Sequence, residues 1–231
     1  MKIDLVPRDA DIASISLPTY NDCLALMAAH GMLPHVREHS YRVMQVAAFL
    51  GQALAAAGFE LHLPLISTGA LLHDLGKTPC LGTAQNHARW GAEVLFSLGY
   101  PELAQVVLEH VRLAEELVKD PRPLREAEVV NYADKRVLHT RVVSLADRFA
   151  DLKERYGRTP EALVRIAAME VSSQALEEKL FGGLPWSPGD LLDTIPSDIN
   201  KLASTHPAKT AKFPPPARGE GRVGVVSFLE S

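Results

Sequence analysis

His73-Asp74-Leu75-Gly76-Lys77 closes an apolar helical pattern, and its reading decides the fold. Ile66, Gly69 and Ala70 precede His73 at −7, −4 and −3, so the imidazole shares a stripe with residues that favour burial. Asp74 follows directly, although consecutive helical residues differ in direction by about 100°. Both side chains can reach one point only near a helix end or across a pocket. Gly76 is consistent with the helix ending there.

Further candidates follow the same rule. His39 precedes Val43, Val46 and Leu50 at +4, +7 and +11; His87 precedes Gly91, Val94 and Leu98 at the same offsets. His110 follows Leu103, Val106 and Val107 at −7, −4 and −3, and Asp134 lies between Val130 and Val137 at −4 and +3. Imidazoles and carboxylates do not belong on buried faces unless something compensates their desolvation. Taken singly, each histidine reads as readily as a hydrogen-bonded core imidazole. Five helices each turning a ligand inward, with Asp74 beside one of them, do not. Buried Asp134 is the hardest to explain without a cation, because an unpaired interior carboxylate must stay protonated or find a partner.

Imidazole and carboxylate together suit a borderline divalent transition ion: manganese, iron, cobalt, nickel or zinc, with one or two ions per chain. Asp74 could bridge two of them, leaving His39, His73 and Asp134 on one ion and His87 and His110 on the other. Water held between two such ions is a good nucleophile for phosphoryl transfer.

Composition sets the frame. The 231 residues are 47% hydrophobic, enough for a sizeable core, and the formal net charge is −4. That balance gives no overall attraction to nucleic acid or to an anionic membrane, so any phosphate-binding basicity must be local. Cys23 and Cys80 form neither a disulfide framework nor a thiolate metal site. Cys80 reads as a small buried thiol. The N-terminus is acidic and broken by Pro7, unlike a signal peptide, and Val43 to Gly58 is too short and too interrupted to span a bilayer. A cytoplasmic location is expected, with no membrane and no nucleic acid as partners.

Period-3.6 patterning dominates and no convincing alternating strand is visible. The predicted helices cover roughly 19–30, 36–57, 62–75, 83–98, 101–115, 125–139, 143–156 and 160–181, with a further short one within 188–203. Gly31, Gly58, Gly76, Gly99, Gly157 and Gly182 stand where left-handed C-caps are expected. Pro101 and Pro160 suit first turns, and Thr159 suits an N-cap with Leu163 on the core side. The chain divides into an extension over 1–17, an all-α domain over 18–204 and a proline-rich tail over 205–231 that cannot bury enough to order itself. Val223 to Leu229 is apolar enough to dock or to form an isolated strand. No repeat of fixed period is present.

His39, His73-Asp74 and Asp134 resemble the H…HD…D signature of the HD superfamily of metal-dependent phosphohydrolases. His73-Asp74-Leu75-Gly76-Lys77 is similar to its HD-x-G-K variant, and His87-Ala88-Arg89-Trp90-Gly91-Ala92 is similar to the H-x-x-x-G-A element of its binuclear branch. His110 falls where that branch has its next ligand. The resemblance covers roughly Leu33 to Val137 and implies an all-α HD-domain bundle with a metal centre in its core. It implies His39, His73, Asp74, His87, His110 and Asp134 as metal ligands, Asp74 as a catalytic bridge and Lys77 as a phosphate contact. The HHE…DGxGYP run of the cyclic-di-nucleotide phosphodiesterases is absent after His110, which disfavours that activity.

Lys77 reads equally as an ordinary cation at a helix C-terminus. Arg42, Arg89, Lys135 and Arg136 are candidates for an anion pocket, but each reads more readily as a solvated surface charge. His35 reads as a helix-start residue ahead of a role behind His39; Glu115, Glu116 and Asp120 read as a solvated helix end. The expected function is hydrolysis of a phosphoester or phosphoanhydride in a small, nucleotide-like metabolite. The alternatives are a di-iron oxygenase built on the same six ligands and a non-catalytic signalling or scaffold module.

Overall fold

The computed structural model describes residues 15–113 and 123–195. The tail, the acidic run and Val223 to Leu229 lie outside those residues, as do most of the N-terminal extension and part of the helix predicted over 101–115. The described chain runs α1 (Tyr20–Ala29), α2 (Pro34–Ala56), α3 (Leu63–Leu72), α4 (His87–Ser97), α5 (Pro101–Glu109) and α6 (Glu126–Lys135). A small antiparallel hairpin follows, β1 (Val137–Leu138) with β2 (Arg141–Val142), then α7 (Leu145–Tyr156), α8 (Pro160–Phe181) and α9 (Asp190–Thr194). The described residues are all-α apart from that hairpin.

Local chemistry fixes the helix starts. Thr19 and Asp22 form a reciprocal capping box on α1. Asn86, Ser144 and Thr159 each accept a backbone N–H from the first turn of α4, α7 and α8. Proline opens the first turn of α2, α5 and α8.

The long α2 buries Val36, Val43, Val46, Leu50 and Leu54 along the stripe that carries His39. It packs on α3 and α6, which in turn meet α5. α3 is apolar almost all round and sits in the core, burying Leu65, Ile66, Leu71 and Leu72. At Gly69 an added methyl would come within 2.5 Å of Val106, so the missing side chain is what lets α3 and α5 meet.

Several boundaries differ from the predicted ones for identifiable reasons. α3 stops at Leu72, and residues 73–82 form successive tight turns through Leu75 N–H to Leu72 O, Lys77 N–H to Asp74 O and Cys80 N–H to Gly76 O. α5 stops at Glu109 because the Asn131 amide on α6 takes the Glu109 and His110 carbonyls, each at 3.0 Å. α6 stops at Lys135 and the chain turns into the hairpin, whose two-residue strands are too short to show alternation. Gly31, Gly58 and Gly99 do adopt positive φ, whereas Gly157 and Gly182 cap their helices with negative φ, and Gly76 serves close approach instead. Leu163 is largely exposed, since α8 turns Ile166, Leu176 and Leu180 inward. Of the helix expected within 188–203, Asp190–Thr194 is observed.

Candidate metal centre

All six predicted ligands converge. His39 projects from the second turn of α2, His73 caps α3, and Asp74 stands in the following turn. His87 opens α4, His110 caps α5, and Asp134 sits in the last turn of α6. Helix ends thus supply most of the set. The adjacent His73 and Asp74 stand at such an end, and their side chains approach to 3.4 Å between His73 Nε2 and Asp74 Oδ2.

Three of the histidines are oriented in one way. His73 Nδ1 donates to Ala70 O at 2.7 Å, His110 Nδ1 to Val107 O at 2.6 Å and His39 Nδ1 to His139 O at 2.9 Å. A carbonyl only accepts, so each Nδ1 carries a proton, and Nε2 is the nitrogen turned to the interior. In His73 and His110 the acceptor is the carbonyl three residues back, so one hydrogen bond both caps the helix and aims the imidazole.

The Nε2 atoms and carboxylates form two linked groups. His39 Nε2 lies 3.0 Å from Asp134 Oδ1, and His73 Nε2 lies 3.6 Å from the same oxygen and 3.4 Å from Asp74 Oδ2. Asp74 Oδ1 faces His87 Nε2 at 3.5 Å and His110 Nε2 at 3.7 Å, and those two nitrogens are 3.2 Å apart. His39, His73 and Asp74 meet the spacing for a shared ion, as do Asp74, His87 and His110. The two oxygens of Asp74 are therefore divided between the groups.

Electrostatics bear on the fit to a cation. His73 Nε2 is fully buried with no hydrogen-bond partner, a cost that an ion would remove. Burial pushes the His87 pKa down to about 4, with His110 adding to the effect, and burial likewise lowers that of His110. Both rings stay neutral and able to ligate at neutral pH. Burial alone would raise the carboxyl pKa of Asp74, but His73, His110 and Lys77 outweigh it and hold the group well below the usual range. Asp134 is held low in the same way against burial, chiefly by Lys135 and His39. His73 moves upward, because Asp74 and Asp134 outweigh its own burial. The neutral imidazoles of His87 and His110, the ionised carboxylates and the orphaned His73 nitrogen make a donor set compatible with a divalent metal ion.

The surrounding cations correct the sequence reading. Lys77 Nζ donates to Asp74 Oδ2 at 2.7 Å, and its side chain is 44% exposed, which places it at the open side beside the partly exposed His87. Arg42, Lys135 and Arg136 are buried, not solvated surface charges. Lys135 pairs with Asp134, so that carboxylate is not unpaired, while Arg136 spends its guanidinium on Val143 O, Pro188 O, Tyr132 and Glu177. Arg89 and His35 are exposed. The stripe assigned to His87 was out of phase: α4 buries Ala88, Gly91, Ala92 and Leu95, and Leu98 is exposed. Sequence reasoning missed Asn131 and misread Lys135, an i, i+4 polar pair flanking Asp134 on α6. It also missed the His139 carbonyl, which no side-chain pattern announces.

The HD domain family model matches residues 36–152, an interval holding all six converging residues. The chain belongs to the HD domain family. An uncharacterized protein of Methanocaldococcus jannaschii is 31% identical to it over 57% of this chain and 83% of its own length. Two proteins named tRNA (cytidine(56)-2'-O)-methyltransferase are also similar. The one from Thermoplasma volcanium is 28% identical over 51% of this chain and 34% of its own length. The one from Picrophilus torridus is 24% identical over 86% of this chain and 55% of its own length. The chain thus spans about a third and about half of those two longer relatives. No solved structure matches it. Membership places the HD chain in a superfamily of metal-dependent hydrolases. Among the described residues no helix is long and apolar enough to cross a membrane.

Proposed function

We propose that this HD-domain chain is a metal-dependent phosphohydrolase acting on a small, nucleotide-like phosphorylated metabolite. The observation that carries the reading is the division of Asp74, with Oδ2 toward His73 and Oδ1 toward His87 and His110. His39, His73, Asp134 and Asp74 would hold one ion, and Asp74, His87 and His110 a second. A bound divalent ion supplies Lewis acidity and a water whose pKa is lowered toward about 7.

The chain's own residues do the rest. The backbone carbonyls behind His39, His73 and His110 keep the ligand nitrogens aimed without reorganisation. Lys77, charged because Asp74 and Asp134 outweigh its burial, stands at the open side where a phosphate would approach. The buried walls of α2, α3 and α5 exclude bulk water behind it. The named tRNA methyltransferase relatives favour a second reading in which the phosphate belongs to RNA, against which stands the net charge of −4.

A screen of metal-loaded protein for phosphate release from mononucleotides, dinucleotides, sugar phosphates and tRNA, with oxygen uptake followed in parallel, tests both readings. Release from a small nucleotide is expected, abolished in Asp74→Ala. Lys77→Ala should lose about tenfold to a hundredfold in turnover, the equivalent of a charge-assisted hydrogen bond, while keeping its metal. Phosphate release only from tRNA supports the second reading, and iron-dependent oxygen uptake without phosphate release overturns both.

A further inference from the structure

Lys135 is buried at 3% exposure, yet it is not a candidate ligand. A buried ammonium is costly to desolvate unless each donor is used. Its Nζ donates to Asp134 Oδ2 at 2.9 Å and to the His110 carbonyl at 3.0 Å. Those contacts belong to different halves of the cluster. Asp134 Oδ1 is the oxygen that faces His39 and His73, and His110 caps α5 beside His87. Asn131, one turn earlier on α6, donates to the same His110 carbonyl.

We infer that Lys135 is a positioning residue that sets the denticity of Asp134 and the spacing between the two halves of the centre. It holds Oδ2, while Oδ1 is the oxygen that faces both His39 and His73, so Asp134 would meet an ion through one oxygen. By holding the His110 carbonyl it ties the C-terminus of α5 to the last turn of α6, so the Asp74–His87–His110 group depends on a lysine that touches none of its donor nitrogens. The inference rests on reading the cluster as a metal centre.

Cobalt(II) titration followed by visible absorption, on chelator-stripped protein, tests it. Lys135→Met removes the donors at similar volume. It should bind cobalt roughly 10–100-fold more weakly, as loss of a residue supporting a ligand does, and shift the absorption bands because both oxygens of Asp134 become free to ligate. A lysine serving only as a buried counter-ion would lower thermal stability and leave the bands unmoved. If Lys135→Met fails to fold, Asp134→Asn is compared with Asp134→Asn/Lys135→Met, a pair in which the double variant has no unpaired buried charge. The double variant should hold the cobalt ion of Asp74, His87 and His110 more weakly than the single one. Equal affinity and identical bands in either comparison overturn the inference while the metal reading stands. A parent protein that binds no cobalt overturns both.

Discussion

A methyl group on Gly76 would stand 2.2 Å from the His87 carbonyl oxygen and 3.0 Å from the Gly91 nitrogen, backbone atoms that cannot yield. The glycine after His73-Asp74 therefore lets the first turn of α4 lie against the turn that carries Asp74, and that contact brings His87 to the cluster. Gly76→Ala must push α4 away, at a cost of about 1–3 kcal/mol typical of overpacking. The expected outcome is a lower melting temperature together with loss of the ion shared by Asp74, His87 and His110. Elemental analysis alongside a thermal melt checks it; a stable variant with full metal would show the contact to be dispensable. The sequence reading took this glycine for the cap of a helix ending at 75, whereas α3 stops at Leu72 and Gly76 lies in the turns that follow; a left-handed cap and a close backbone approach leave the same mark on a single chain.

At the scale of elements, α2 and α5 were legible because each buries a regular row of apolar residues beside its candidate ligand, and α3 and α6 because they are buried almost all round. α4 was not, since its ligand is the first helical residue, where the apolar phase has barely begun. The hairpin was invisible for want of length, yet it matters: its turn holds His139 at φ 56 and presents the His139 carbonyl to His39 Nδ1. A left-handed backbone strains any residue but glycine, and β-branched side chains most. His139→Gly should therefore keep metal affinity close to that of the parent, whereas His139→Val should weaken it by about 10–100-fold through loss of the bond that aims His39. Isothermal titration with a divalent ion checks the pair. Equal affinity in both variants would mean that the carbonyl does not orient the ring.

For the whole molecule, the cluster concentrates much of the pH dependence of stability once chelator removes metal. His87, with its pKa at about 4 against 6.5 for the free side chain, contributes stability that is complete above 6.5 and is lost as pH falls toward 4. His110 shifts in the same direction. His73 is raised, so its contribution is complete below 6.5 and is lost as pH rises through its folded value. Asp74 and Asp134 contribute above 3.8 and lose that contribution only in stronger acid. Chelated protein should show a urea midpoint that is highest near about pH 6.5 and falls on both sides. A midpoint rising steadily from pH 4 to 9 would show that Asp74 and Asp134 do not hold His73 protonated in the chelated protein. Metal content tests the centre most directly, measured by elemental analysis on protein purified without chelator and with manganese or iron supplied. The parent should carry about one to two ions per chain, His87→Ala about one fewer than the parent and Asp74→Ala almost none. A parent protein with less than about one-tenth of an equivalent would contradict the metal centre itself.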